Sequence, residues 1–133
     1  MKVWIGKSVL LIGIAHSVFG FIVFRGILAE LAGELLLNTV DGQPDREAAF
    51  WFLFSGFALL IIGGLINWIE HKQAALPLFL KWSFLGITFL GCFIMPKSGF
   101  WLLIVPTVGM YLQRNKDIEM KHPGSRLDNG PGK

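Results

Sequence analysis

The residue best suited to do chemistry in this sequence is His16, which lies in the middle of an apolar segment covering residues 3–24. In a helix, His16 would lie about 18 Å from Trp4 at 1.5 Å per residue, a separation that reaches the middle of a bilayer. An ionisable residue at that depth is by default a functional-site hypothesis. An imidazole there accepts or donates a hydrogen bond, binds a ligand, or carries a proton.

Three small residues share the predicted helix face of His16, namely Gly13, Ser17 and Gly20. This pattern predicts that His16 points toward neighbouring helices, with the small residues lining a candidate ligand-binding groove. The structural alternative is a neutral histidine hydrogen-bonded to another helix, with the glycines serving close helix packing.

The sequence lacks the set of ligands that a metal or haem site at the depth of His16 needs. The other histidines, His71 and His122, fall in a predicted polar turn and in the polar tail, and Cys92 is the only cysteine. One histidine without a second ligand at its depth makes a poor metal or haem site. The sequence therefore predicts no metal and no haem, and a lipid or a quinone is the ligand class left open. No catalytic residue is assigned.

A second candidate site is a group of carboxylates between the first two apolar segments. Its members are Glu30, Glu34, Asp41, Asp45 and Glu47. They suit a divalent cation or a partner protein, although no EF-hand spacing is present. The alternative is an acidic outer loop that results from keeping basic residues on the other side of a membrane.

The elements that must position these residues are four long apolar segments, at residues 3–24, 49–69, 75–95 and 98–112. A helical span needs roughly 17–25 residues, so the first three are long enough and the fourth is slightly short. They predict an all-α fold, a four-helix transmembrane bundle formed by residues 1–112. An amphipathic outer segment is predicted at Ile27–Leu37, and a disordered cytoplasmic tail at 113–133.

Two alternatives and two local features accompany this architecture. The first segment could be a signal peptide, and the third and fourth could form a shallow re-entrant pair if Lys81 marks the true boundary. Asp45 is predicted to cap the second membrane helix. Pro106 predicts a kink in the fourth helix.

Charge and tryptophan positions predict the orientation. Nine Lys and Arg residues fall on the side of the termini and only Arg25, Arg46 and Lys97 on the other. The positive-inside rule then places both termini in the cytoplasm, and all five tryptophans fall at interface depth. The net charge of +3 forms no basic face interleaved with aromatic residues, so nucleic acid is excluded as a partner. The predicted location is the bacterial inner membrane, as a multi-pass protein.

Three short motifs carry a resemblance: Gly13–Gly20 (GIAHSVFG), Trp51–Phe57 (WFLFSGF) and Ser98–Trp101 (SGFW). Over residues 3–112 the chain resembles a family of small bacterial four-helix integral membrane proteins of unknown function. It is distantly similar to the DoxX-like membrane proteins, some of which are linked to quinone or thiol redox chemistry. The resemblance implies the four-helix fold. Thiol redox chemistry uses a pair of cysteines, whereas this sequence has one cysteine.

Three functions follow as hypotheses. The first is binding of a hydrophobic ligand or a partner helix in the groove at His16. The second is a quinone-linked oxidoreductase subunit in which His16 bonds a ring carbonyl. The third is a small proton-coupled transporter that uses His16. The expected partners are membrane lipids and a second copy or another membrane protein.

Overall fold

The computed structural model describes residues 3–34 and 39–121, with side chains as far as Leu112. Regular structure within these residues is entirely helical, which confirms the all-α prediction. The elements are α1 (Ile5–Val23), α2 (Arg25–Gly33), α3 (Pro44–His71), α4 (Leu78–Ile94), a 3-10 helix (Gly99–Leu103) and α5 (Ile104–Lys121).

Two of the described helices are long and apolar enough to cross a bilayer. They are α1 and α3, which coincide with the predicted spans at 3–24 and 49–69. Helix α4 and the apolar stretch Gly99–Leu112 fall short of the length of a full span. The helical class and two candidate spans are therefore established. The lengths of the described helices do not establish a bundle of four spans.

The chain divides into two compact units, Lys2–Ala75 and Leu76–Lys133. In the first unit α1 packs against α3 through small residues spaced seven apart. These are Gly6, Gly13 and Gly20 on α1, and Ala49, Gly56 and Gly63 on α3, all of them buried. A repeat of seven keeps one helix face against its partner, and small residues let the two backbones approach closely.

The glycines also fix the register of the pair. Gly6 lies against Asn67, Gly13 against Leu60, and Gly20 against Leu53. Each step of seven residues forward along α1 corresponds to seven residues back along α3, so the helices are antiparallel. The approach is closest at Gly6, where an added Cβ would overlap the backbone of Asn67.

The amphipathic segment predicted at Ile27–Leu37 is present as α2, in shorter form. Phe24 interrupts the helix after α1, α2 begins at Arg25, and it ends at Gly33. Leu31 is its buried residue, and Glu34 already has extended backbone. Residues 35–37 of the predicted segment lie outside the described residues.

One local prediction, the helix cap at Asp45, was wrong. Helix α3 begins at Pro44, after an N-cap at Gln43, so Asp45 lies in the first turn and does not cap the helix. Proline suits that first helical position because its missing N–H has no partner there. Pro106 lies in the first turn of α5, just after the change from a 3-10 helix to an α-helix, and the kink expected there stays a prediction.

In the second unit, α4 buries a stripe at helical spacing formed by Lys81, Phe84, Thr88 and Gly91. The ring of Phe100 lies so close to Gly91 that an added Cβ would overlap it. Helix α5 continues to Lys121, beyond the predicted end of the fourth span at residue 112. The predicted disorder of 113–133 stays a prediction, and residues 122–133 lie outside the described residues.

Candidate functional site

His16 is held against α3 by two polar contacts and one ring contact. Its Nε2 lies 3.0 Å from the carbonyl oxygen of Phe52 and 3.1 Å from the hydroxyl oxygen of Ser55. The imidazole stacks on the ring of Phe52, with the ring centroids 4.0 Å apart and the planes 11° from parallel. The helix register brings these three residues together, because Ser17, next to His16, packs against Gly56, next to Ser55.

The contact with Phe52 determines where the imidazole carries its proton. A backbone carbonyl only accepts hydrogen bonds, so Nε2 must be the donor. In the neutral ring, Nδ1 then keeps a lone pair. No hydrogen bond joins Nδ1 to any residue that the structure describes. The ring itself is half-buried.

The ring orientation separates its two edges. An added Cβ on Gly56 would lie 3.1 Å from Cδ2 of His16, so the Cδ2–Nε2 edge faces α3. Nδ1 lies on the opposite side of the five-membered ring and is turned away from Gly56. The lone pair of Nδ1 is therefore a hydrogen-bond acceptor on the side of the ring turned away from Gly56, and no described residue of α3 donates to it.

A serine and a histidine at hydrogen-bond distance also form the geometry of a nucleophile and its general base. Here the hydroxyl of Ser55 donates to the carbonyl of Phe52 at 2.7 Å, and Nε2 of His16 donates toward the same carbonyl. A base needs a free lone pair on Nε2, which this arrangement does not provide. The pair therefore holds the two helices together and does not activate Ser55.

The small residues predicted to line the groove lie in the contact between α1 and α3. Gly13 packs on Leu60, Gly20 on Leu53 and Phe52, and Ser17 on Gly56. The Ser17 hydroxyl is buried and has no hydrogen-bond partner among the described residues. These residues set the helix spacing that places His16 beside Phe52, and their role as ligand contacts stays a prediction.

The five carboxylates predicted as a second site do not form one cluster. Two of them, Glu34 and Glu30, lie beside Arg46. Arg46 donates from both terminal nitrogens to Glu34, at 2.7 and 3.1 Å, and from Nη1 to the carbonyl of Thr39 at 3.0 Å. Glu30 lies 3.6 Å from Nη2 of Arg46. The hydrogen bond from Arg46 holds the pKa of Glu34 below its ordinary value. This bidentate pair ties the C-terminal end of α2 to the start of α3.

The remaining carboxylates of that group lie elsewhere. Glu47 accepts a hydrogen bond from the N–H of Gly42 at 2.8 Å, which closes the turn before α3. Asp41 and Asp45 are exposed. In the part of the chain that the structure describes, no three His, Cys, Asp or Glu side chains are grouped to hold a metal ion. A cation or partner site at these residues stays a prediction.

Sequence reasoning missed Glu70, which is completely buried at the end of α3. Its carboxylate accepts hydrogen bonds from the N–H groups of Gly6, at 2.8 Å, and Ile5, at 3.3 Å. No side chain within α1 caps its N-terminus, so Glu70 satisfies donors that helix starts leave unpaired. The available signal was the repeat of seven, because Glu70 follows Gly56 and Gly63 at the same spacing.

A polar pair lies inside the second unit. The hydroxyl of Thr107 donates to the carbonyl of Leu103 at 2.7 Å and lies 3.1 Å from the hydroxyl of Thr88. Because the hydroxyl proton of Thr107 is donated to the carbonyl of Leu103, Thr88 is the donor to Thr107. This buried bond connects α4 to α5 and has the geometry of a structural contact.

These observations define the class as an all-α protein with two candidate membrane helices in close antiparallel contact and an imidazole on their shared face. Residues 1–117 match the model of a family of unknown function, DUF6463, and the chain belongs to that family. The prediction of membership in a family of unknown function is thereby confirmed. No curated protein matches the chain significantly, and no solved structure does so either.

Proposed function

We propose that this chain is an integral membrane protein that binds a hydrophobic ligand carrying a polar group at His16. The observation that carries the proposal is the state of the imidazole. Phe52 and Ser55 hold one nitrogen in place, while the other has no hydrogen-bond partner among the described residues. A fixed ring with one unused polar atom in an apolar setting is what a specific site for a lipid-like molecule requires.

The surroundings of His16 support a hydrophobic ligand. On α1 the neighbouring Phe19 is 59% exposed, and on α3 Phe54 is 54% exposed. Large apolar side chains on both helices are exposed along most of their length: Leu11, Ile14, Val18, Ile22, Phe57, Ile61 and Leu65. Such exposure is costly in water and favourable in lipid, where the ligand would also be dissolved.

The proposal includes four spans in the bacterial inner membrane, with both termini in the cytoplasm. Helix α4 has 17 residues, about 26 Å of helix against a hydrocarbon core of about 30 Å, a mismatch that bilayer thinning accommodates. The unequal distribution of Lys and Arg supports the orientation. The distant similarity to the DoxX-like proteins belongs to this proposal and agrees with the same architecture.

The test is the identity of what remains bound after purification in mild detergent, read by native mass spectrometry. The proposal expects a bound hydrophobic molecule on the wild-type chain and its loss from His16→Leu. The matched control is His71→Leu, because His71 is exposed and its one hydrogen bond among the described residues is to the carbonyl of Asn67 in its own helix. Equal ligand content in wild type and His16→Leu would overturn the proposal.

A second candidate is proton-coupled transport, because Nδ1 of His16 has no hydrogen-bond partner among the described residues and provides a site for a proton. Proteoliposomes carrying the chain and a pH-sensitive dye inside would then show proton flux that His16→Leu abolishes and His71→Leu preserves. Flux that persists in His16→Leu would exclude this role for His16.

A further inference from the structure

We infer that the ligand at His16 carries a hydroxyl group and donates its hydrogen to Nδ1. This inference rests on the proposed function and specifies the chemistry of its ligand. It differs from the sequence-based expectation that His16 bonds a carbonyl, because a carbonyl would need a donor where the neutral ring has a lone pair.

The proton position is fixed by contacts on α3. Moving the proton from Nε2 to Nδ1 would place the Nε2 lone pair 3.0 Å from the carbonyl oxygen of Phe52, so that two acceptors would face each other. Ser55 has one hydrogen to donate, and its hydroxyl oxygen lies closer to the carbonyl oxygen of Phe52, at 2.7 Å, than to Nε2, at 3.1 Å. Even if it donated to Nε2, the contact between Nε2 and that carbonyl would remain one of two acceptors. The tautomer with the proton on Nε2 is therefore the one that this site stabilises.

The orientation of the ring is fixed as well. A flip of the imidazole by 180° would exchange Nδ1 with Cδ2 and Nε2 with Cε1. Nε2 would then lose its hydrogen bond to Phe52, and Nδ1 would face Gly56, which has no side chain to bond it. The parallel stacking on Phe52 is retained in both orientations, so the hydrogen bond decides between them.

The rest of the ligand is defined by its apolar wall. The ring of Phe52 lies 5.5 Å from that of Phe24 and 6.2 Å from that of Phe19, measured between centroids. These rings offer an apolar surface for contact with the ligand. The ligand class is therefore an amphiphile with one hydroxyl and a long apolar chain or ring, such as a fatty alcohol.

The test compares 1-hexadecanol with its methyl ether, two probes that differ in the donor hydrogen. Binding to the full chain in lipid nanodiscs is measured by competition, with native mass spectrometry as the readout. The inference expects wild type to bind the alcohol at least tenfold more tightly than the ether. His16→Leu should remove this preference, and His16→Asn should retain part of it, because the asparagine oxygen lies near the position of Nδ1.

The outcomes separate the inference from the function on which it rests. Equal binding of both probes that His16→Leu weakens would overturn the hydroxyl inference and leave ligand binding at His16 in place. Binding that is the same in wild type and His16→Leu, or no binding of either probe, would overturn both. The comparison of probes on wild type needs no variant, so a folding defect in a variant does not obscure it.

Discussion

The carboxylate of Glu70 lies 2.8 Å from the backbone nitrogen of Gly6, although the two residues are 64 positions apart in the sequence. The last turn of α3 thus caps the first turn of α1. A carboxylate at a helix N-terminus satisfies unpaired N–H groups and interacts favourably with the helix dipole. Gly6 makes the contact possible because its missing side chain lets the backbone of Asn67 approach.

The first prediction concerns this cap. Glu70→Leu should lower the free energy of unfolding by about 2 kcal/mol, since it leaves buried N–H groups without an acceptor. Glu70→Gln should cost less, because the amide oxygen still accepts a hydrogen bond. Chemical denaturation in detergent micelles, followed by circular dichroism, measures both changes.

The control for Glu70 is Glu47→Gln, in which an exposed bond to the N–H of Gly42 is weakened at the other end of the same helix. Glu47→Gln should lower the free energy of unfolding by much less than Glu70→Leu does. A Glu70→Leu chain as stable as wild type would show that the cap contributes nothing to folding.

The second prediction uses two neighbouring glycines of α3. A Cβ on Gly63 would lie 2.7 Å from the backbone nitrogen of Leu10, whereas a Cβ on Gly64 would meet open space. Gly63→Ala should therefore destabilise the α1–α3 pair by about 1–3 kcal/mol through overpacking. Gly64→Ala should leave stability unchanged or raise it by up to about 1 kcal/mol, because alanine is the better helix former. Thermal unfolding of both variants in the same detergent decides the point, and equal effects would refute the register.

The third prediction follows from the lowered pKa of Glu34. Arg46 lowers this pKa in the folded state only, so the unfolded chain binds the proton more readily as the pH falls. The stabilisation from the pair is full above the unfolded-state pKa and is lost as the pH falls through the lowered folded-state value. Glu34→Gln should therefore lower the melting temperature slightly at pH 7 and leave it unchanged near pH 2.

The double variant is the control for that prediction. In an Arg46→Gln background, Glu34→Gln should have no further effect on the melting temperature at pH 7, because the donor to Glu34 is already absent. The effect is small because the side chain of Glu34 is 51% exposed to solvent. A difference between wild type and Glu34→Gln that persists at pH 2 would mean that another interaction of Glu34 is responsible.

The first unit shows how far the sequence carries an argument. Apolar length was enough to predict α1 and α3, and the depth and face of His16 were enough to select it as a candidate. Its partners Phe52 and Ser55 were missed because they depend on the register between two helices. That register is set by contacts at Gly6, Gly13 and Gly20. The stripe of glycines in the sequence indicated that a helix packs there, but it did not specify which residues of α3 the glycines contact.

Glu70 and Arg46 show the other limit. Charged residues near helix ends were interpreted as loop and interface groups, because a sequence shows neither burial nor pairing between segments. Glu70 is buried because the antiparallel packing of α1 on α3 places the last turn of α3 against the first turn of α1, and Arg46 binds Glu34 across the loop that joins α2 to α3. Both contacts are tertiary, and local composition does not specify the partner residues, although the repeat of seven residues placed Glu70 on the face of Gly56 and Gly63.

The last prediction tests the proposed membrane topology with single cysteines. In a Cys92→Ser background, Ser98→Cys places a thiol in the turn between α4 and the 3-10 helix, and Gln73→Cys places one in the turn after α3. The proposed topology with four spans places the turn at Ser98 on the outer side of the membrane and the turn at Gln73 in the cytoplasm. A membrane-impermeant maleimide added to intact cells should therefore label Ser98→Cys and should label Gln73→Cys only after permeabilisation.

If α4 and the following segment form a re-entrant pair, Ser98→Cys would be protected in intact cells while Asp41→Cys, in the loop before α3, is still labelled. Labelling of Gln73→Cys in intact cells would reverse the orientation derived from the lysine and arginine distribution.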